Sequence, residues 1–226
     1  MSIDSGKYST GASAGPLTGV RILDLTTVVM GPYATMILSN LGADIIKLEP
    51  PAGDIMRYVG PMKNPQMGHS FLNANHGKRS IVLDLKRAEA RAAALELARS
   101  SDVFVHNIRP DALNRLGLGY EAVADINPKI IYAAAIGFGT GGRYSGKPAY
   151  DDLIQGIVGI PSLVMEAGGD IPRYLPTPIA DRSVGLYLVG MISSALYARE
   201  VSGKGQSIEV PMFEVLSQYV LGDHMA

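Results

Sequence analysis

Asp181 is the carboxylate whose surroundings in the sequence point most directly to chemistry. It follows the Gly/Pro-rich stretch EAGGDIPRYLPTPIA, and the long apolar run VGLYLVGMISSALYA (residues 184–198) begins just after it. That run predicts a buried helix, which puts Asp181 at a helix N-terminus. A carboxylate has two kinds of work there. As an N-cap it accepts backbone N–H groups and contributes about 1 kcal/mol. In a closed site the same N–H groups and the helix dipole keep it ionised, and an ionised carboxylate can act as a nucleophile. The residues alone do not choose between these. Asp151 and Asp152 offer further acids, but no spacing rule supports a paired-acid glycosidase arrangement.

Two basic clusters are candidates for holding phosphate. One is HGKRS, with Lys78 and Arg79 just before a predicted strand; the other is NIRPDALNRLG, with Arg109 and Arg115 just after one. Open parallel sheets bind ligands beyond the carboxyl ends of their strands, and Arg pairs well with phosphate. Arg57, in GDIMR, is placed to join them, although for any single Arg a solvated loop charge is the plainer reading. The glycine cluster GFGTGG (residues 137–142) follows a strand but leads into RYSGKP, a loop and not a helix, so it lacks the dinucleotide-binding pattern. The chain has no Cys and only four His, without an HxxxH or HExxH pair, which removes disulfides, thiolate sites and a His-rich metal centre. No metal is expected.

The elements that must position these residues alternate. VRILDL, ADIIKLE, SIVLDL (residues 80–85), DVFVHN (102–107) and KIIYAAAIGFG read as strands. Between them lie YATMILSNLG, opened by Gly31-Pro32, then the helix-rich KRAEARAAALELARS, then a turn RPDALNRLGLG and the short helix YEAVADIN. The alternation predicts βαβ units: an α/β, Rossmann-like, mainly parallel sheet flanked by helices. Beyond Gly146 come an interrupted helix AYDDLIQGIVGIPSLVM, the apolar helix, a strand SIEVPM and a last helix FEVLSQYVL.

Composition fits a folded domain. Apolar residues make up 47% and charged residues 18% of the 226, enough to bury a core, and a formal charge of −1 gives no electrostatic reason to expect nucleic acid or an anionic membrane as partner. The longest apolar run is shorter than the roughly 20 residues a bilayer requires, and the cytoplasm is the default location. Residues 1–15 have no basic or strongly apolar stretch and read as a flexible N-terminal segment ahead of a domain over 16–226. The last helix runs into LGDHMA without a closing strand, as expected of the N-terminal portion of a longer protein.

From about Gly15 onward, several linked blocks resemble the family III CoA-transferases, which include formyl-CoA transferase and carnitine CoA-transferase. They are GPLTGVRILDLTTVVMGPYATMILSNLGADIIKLEPPAGD, NANHGKRSIVLDLK, DVFVHNIRPDALNRLGLGYE, NPKIIYAAAIGFG, KPAYDDLIQGIVG and PIADRSVGLYLVGMISSALYAREVSGKGQSIEVPMFEVL, in the family's order. The resemblance implies that an aspartate attacks an acyl-CoA thioester, and the matching residue is Asp181, with N-capping as a second job. It further implies that Arg57, Lys78, Arg79, Arg109 and Arg115 hold coenzyme A, with Tyr150 and Asp151 near the thioester. CoA then enters as substrate, with no tightly bound cofactor. The partners implied are an acyl-CoA, a carboxylic acid and a second copy in an interlocked homodimer. A smaller second domain and a glycine-rich loop lie beyond residue 226 in such proteins, so a non-catalytic CoA-binding or dimerisation fragment stands as the alternative. Thr27 and Val29 stand where formyl-CoA transferase has His and Gln, which argues for a different acyl group. A related racemase uses a His where this chain has Tyr150. A phenol, with an ordinary pKa of about 10, is a poor two-way proton carrier, so transfer is favoured over racemisation.

Overall fold

The structure, a computed structural model, describes residues 14–224. Most of the expected flexible segment, residues 1–13, lies outside the described residues. Six strands form one parallel sheet: β1 (Arg21–Leu25), β2 (Asp44–Glu49), β3 (Arg79–Val82), β4 (Val103–His106), β5 (Ile131–Ile136) and β6 (Gln206–Pro211), in the order β3-β2-β1-β4-β5-β6. The four central strands are buried along nearly their whole length, so they read as continuous apolar runs rather than as alternations. Successive residues still face opposite layers. Ile22, Val103, Val105 and Ala133 enter one core, and Leu23, Phe104 and Tyr132 the other.

The first core lies under α1 (Met30–Asn40), α6 (Asp151–Ile157), α7 (Ile160–Glu166), α8 (Ile179–Ser202) and α9 (Met212–Leu221). The second lies under α3 (Ala88–Arg99), α4 (Pro110–Leu116) and α5 (Tyr120–Ile126). The strand order reverses beside β1, which pairs with both β2 and β4. The crevice beyond the carboxyl ends of β1 and β4 is therefore the place where such a sheet accommodates a ligand.

Three local readings of the sequence change. RPDALNRLG, expected as a turn, contains the helix α4: Pro110 fills its first position, where a missing N–H costs nothing, and Gly117 closes it at φ +70. A 3₁₀ turn (Ile55–Tyr58) and the short α2 (His69–Asn75) were not foreseen, because neither carries a helical apolar stripe; the Asp54 side chain caps the turn by accepting the Met56 N–H. The strand expected over residues 80–85 spans only Arg79–Val82, and the next residues leave the sheet.

The apolar run expected as too short for a bilayer sits inside a helix of 24 residues, α8, long and apolar enough to cross a membrane by length and composition alone. Here one face of it is core, with Val184, Leu188 and Ile192 fully buried. It crosses α1 at Gly185, where an added Cβ would lie 2.9 Å from the Met30 carbonyl oxygen and 3.1 Å from Tyr33 Cδ1. Gly185→Val should cost about 2 kcal/mol by overpacking. Thermal denaturation should show this as a melting temperature lower by roughly 4–8 °C.

Candidate active site

Asp181 does not cap α8. Pro178 occupies the N-cap, and Asp181 is the third residue of the helix, only 9% exposed. The N-capping expectation fails because the helix begins at Ile179, five residues before its apolar run does. A neighbouring acid takes that role instead: Asp151 Oδ1 accepts the Asp181 N–H at 2.9 Å, and Asp151 Oδ2 is held by Gln155 Nε2 at 2.6 Å. The consequence reverses the expectation that the helix end keeps Asp181 well ionised. Burial, and then the Asp151 carboxylate, push the Asp181 carboxyl up to about 7, while Arg182 and a hydrogen bond with the Met30 backbone oppose them.

Asp181 opens onto a small cavity of about 110 Å³ with Thr27, Val28, Met30, Asn107 and Tyr150. Two larger cavities share lining residues with it. Thr27 is shared with an apolar hollow of about 520 Å³ between Leu25, Leu48, Leu85 and Ile108, with Lys86 and Arg115 also lining it. Asn107, Gly137 and Tyr150 are shared with a polar cleft of about 450 Å³ that includes Arg109 and Lys147. The small cavity of the carboxyl thus shares its walls with an apolar hollow on one side and a polar, cation-bearing cleft on the other.

The loop between β1 and α1 forms one wall, and side chains satisfy its backbone almost completely. The Thr26 N–H donates to Asp24 Oδ1 at 2.8 Å, and its carbonyl accepts from Lys47 Nζ at 2.7 Å. Asn107 accepts the Thr27 N–H at 3.0 Å and donates to the Thr27 carbonyl at 2.8 Å. The Val28 N–H donates to Asp54 Oδ1 at 3.3 Å. Val28 itself sits at φ +72, a conformation disfavoured for a β-branched residue. Two buried ion pairs lie beneath: Lys47–Asp54 at 3.1 Å and Lys78–Asp24 at 3.2 Å. Burial raises the Asp24 carboxyl, but Lys78, Lys47 and the Thr26 and Thr35 hydroxyls outweigh it and hold it at about 2. Burial brings the Lys78 ammonium down to about 8, Asp24 supporting and Lys47 opposing its charge. Both members of that pair are charged at neutral pH.

The expected phosphate-binding residues divide. Arg109 is exposed on the polar cleft, Arg115 is exposed on the apolar hollow, and Tyr150 and Asp151 line the small cavity. The other three are paired with carboxylates of the chain, Lys78 buried and Arg79 still half exposed. Lys78 Nζ is 2% exposed and donates to Asp24, the Pro32 carbonyl and Asn75 Oδ1, so it serves as an internal counter-ion and not as a phosphate contact. Arg79 forks onto Asp44 at the amino ends of β2 and β3, the opposite edge of the sheet from Asp181. Arg57 forks onto Glu49 at 2.7 Å and stacks 3.8 Å from the centre of the Phe71 ring. Burial would raise Glu49, but hydrogen bonds from Arg57, Ser80 and the Asp54 backbone hold it at about 2. The glycine loop turns its backbone toward the last strand and helix. The N–H groups of Gly139 and Thr140 go to Glu214 and Glu209, not to open space.

Sequence reasoning missed Lys47, Asp54, Lys86 and Asn107. A signal existed for Lys47: a charge within the apolar run ADIIKLE, buried on a central strand, demands a partner. Lys86 was hidden in the helical run KRAEAR, but the helix starts only at Ala88. Among the described residues no cluster of three His, Cys, Asp or Glu is arranged to hold a metal ion.

Residues 17–226 match the CoA-transferase family III. The chain is 44% identical over 201 residues to the acetyl-CoA:oxalate CoA-transferase of Acetobacter aceti, an alignment covering 88% of this chain and 51% of that protein. It is 37% identical to the succinate–glutarate CoA-transferase of Agrobacterium fabrum, over 93% of this chain and 54% of that one. The crystal structure of a CAIB/BAIF family protein from Brucella suis superimposes with a TM-score of 0.86 at 35% identity, covering 93% of this chain and 56% of that one. The chain spans about half the length of the curated relatives it matches. With the family's blocks in order and the same parallel sheet carrying them, this chain belongs to CoA-transferase family III.

Proposed function

We propose that the protein transfers CoA from an acyl-CoA to a carboxylic acid through a covalent intermediate on Asp181. The observation that carries this reading is the position of Asp181: a buried carboxyl on a cavity that shares its walls with an apolar hollow and a polar, cationic cleft. A CoA thioester is a flat base, phosphates, a long thin arm and a reactive carbonyl. The hollow suits the base, Arg115 and Lys86 suit phosphate charge, and Asp181 is where the thioester carbonyl would arrive. CoA is a substrate in this scheme, and no resident cofactor takes part.

In the first step an Asp181 oxygen attacks the thioester carbonyl carbon. The C–S bond breaks, CoA leaves as thiolate, and a mixed anhydride remains. The thiolate then attacks the Asp181 side-chain carbonyl, releasing the donor's carboxylate and leaving an aspartyl-CoA thioester. The acceptor carboxylate attacks this thioester, expelling thiolate and forming a second anhydride. Thiolate attack on the acceptor carbonyl releases the new acyl-CoA and restores Asp181. Dividing one difficult exchange into steps of this kind is the gain of nucleophilic catalysis. The names of the relatives, oxalate and succinate–glutarate transferases, support a small dicarboxylic acid as one of the two exchanged acids. Tyr150 on the cavity wall, in place of a proton-carrying His, favours transfer over racemisation. A homodimer is part of the reading, supported by exposed Tyr187, Tyr197 and Val201 along the outer face of α8.

Intact-mass analysis after mixing with acyl-CoA donors tests it. A CoA-sized adduct on the Asp181 peptide, lost with hydroxylamine, is expected. Its rate of formation should rise with pH through about 7, because only the ionised carboxyl attacks. A longer form that gives the adduct while these 226 residues do not would establish the second reading, that this half binds CoA without turning it over. The half-length coverage of the relatives favours including that comparison.

A further inference from the structure

We propose that the buried Lys47–Asp54 pair is a positioning device for the Asp181 site: it clamps residues 26–28, with Val28 left-handed, so that Thr27, Val28 and Met30 keep their places on the wall of the Asp181 cavity. This rests on the transfer reading above. Neither residue lines the cavities; the side chains are 1% and 0% exposed. Their contacts explain why two charges are kept there. A buried ion pair is often no more stabilising than an apolar pair of the same size, so its use lies in what else it holds. Lys47 Nζ donates to the Thr26 carbonyl at 2.7 Å as well as to Asp54. Asp54 Oδ1 accepts the N–H of Val28 at 3.3 Å and of Met56 at 3.0 Å. The Asp54 N–H is in turn anchored on Glu49 Oε2 at 3.1 Å.

The clamp therefore grips the loop on both sides of Thr27, immediately before the turn into α1. Val28 carries the unfavourable φ, and a strained backbone persists only where its surroundings over-determine it. Two residues on, Met30 begins α1 and lines the same cavity as Asp181. The remaining groups facing Asp181 are Asp151 and Tyr150 from the α6 side and Arg182 on its own helix. None of these touches Lys47 or Asp54, so the clamp reaches Asp181 through the loop alone.

The test compares two double variants in the complete protein. Lys47→Met with Asp54→Leu removes both charges without stranding either, so it should fold and melt cooperatively. Its KM for the acyl-CoA donor should stay within about threefold, while kcat falls by about 30-fold or more, as expected for a misplaced reactive group. Lys47→Met with Asp54→Asn keeps the acceptor for Val28 and should recover at least about tenfold in kcat relative to the Leu variant. Unchanged kcat in the folded Leu variant overturns the proposal, and so does a fall in kcat with no recovery by Asn. A wild-type protein with neither transfer nor adduct overturns instead the functional reading beneath it.

Discussion

Asp181→Asn is expected to abolish transfer and to make the protein more stable above pH 7. The activity loss follows from the loss of the nucleophile, and removal of such a group lowers turnover by about four orders of magnitude or more. CoA affinity should change only a few-fold, since the apolar hollow and its cations do not include residue 181. The stability gain follows from the raised carboxyl, about 7 in the fold against an ordinary 3.8. The folded protein binds that proton more tightly than the unfolded chain does. The associated stabilisation is fully present below 3.8 and is lost as pH rises through about 7, where a charge is forced into a buried site beside Asp151. Asparagine carries no charge at any pH, so it escapes that loss. A shift of this size corresponds to no more than about 4 kcal/mol, and relaxation around the site reduces it to about 2. At pH 8 the variant should melt roughly 4–8 °C above wild type, and the two should converge near pH 4. Equal melting temperatures at pH 8 would show that Asp181 is not held at a cost.

That cost shows where the sequence was legible and where it was not. The parallel sheet was readable because both faces of β1, β2, β4 and β5 are covered, and coverage writes itself as apolar runs such as VRILDL and KIIYAAAI. Asp181 could be singled out because a loop and an apolar helix meet there. Its protonation could not be, since that is set first by burial and then by Asp151, thirty residues away on α6. The same holds for the basic residues. Lys78 and Arg79 are adjacent in sequence, yet one is sealed beneath the site and the other forks onto Asp44 at the far edge of the sheet. Chain proximity says nothing about which end of a strand a side chain serves. α4 escapes the sequence reading because Pro and Gly are also loop signals, although at its two ends they are helix boundaries.

Asp24→Asn should cause the largest loss of stability of any single-atom change near the site. Asp24 is fully buried at the carboxyl end of β1 and accepts from the Thr26 N–H at 2.8 Å, the Thr35 hydroxyl at 2.6 Å and Lys78 Nζ at 3.2 Å. An amide can keep the first of these, but its NH₂ then confronts the other two donors, and Lys78 loses the negative charge that offsets its burial. Stranding a buried charge typically costs 3–5 kcal/mol, which would lower the melting temperature by roughly 10 °C. The pH dependence is opposite in sense to that of Asp181. The Asp24 carboxyl is depressed to about 2, so its contribution is present above the ordinary 3.8 and is lost as pH falls through about 2. The deficit of the variant should therefore shrink as pH falls below about 4. Adding Lys78→Met to Asp24→Asn removes the stranded ammonium and should recover more than half of the deficit. That recovery separates the unpaired charge from the lost Thr35 contact, because only the former depends on residue 78. A double variant no more stable than Asp24→Asn would place the cost in the loop's hydrogen bonds instead, and would make the backbone around Thr26, rather than the charges beneath it, the element that fixes the site.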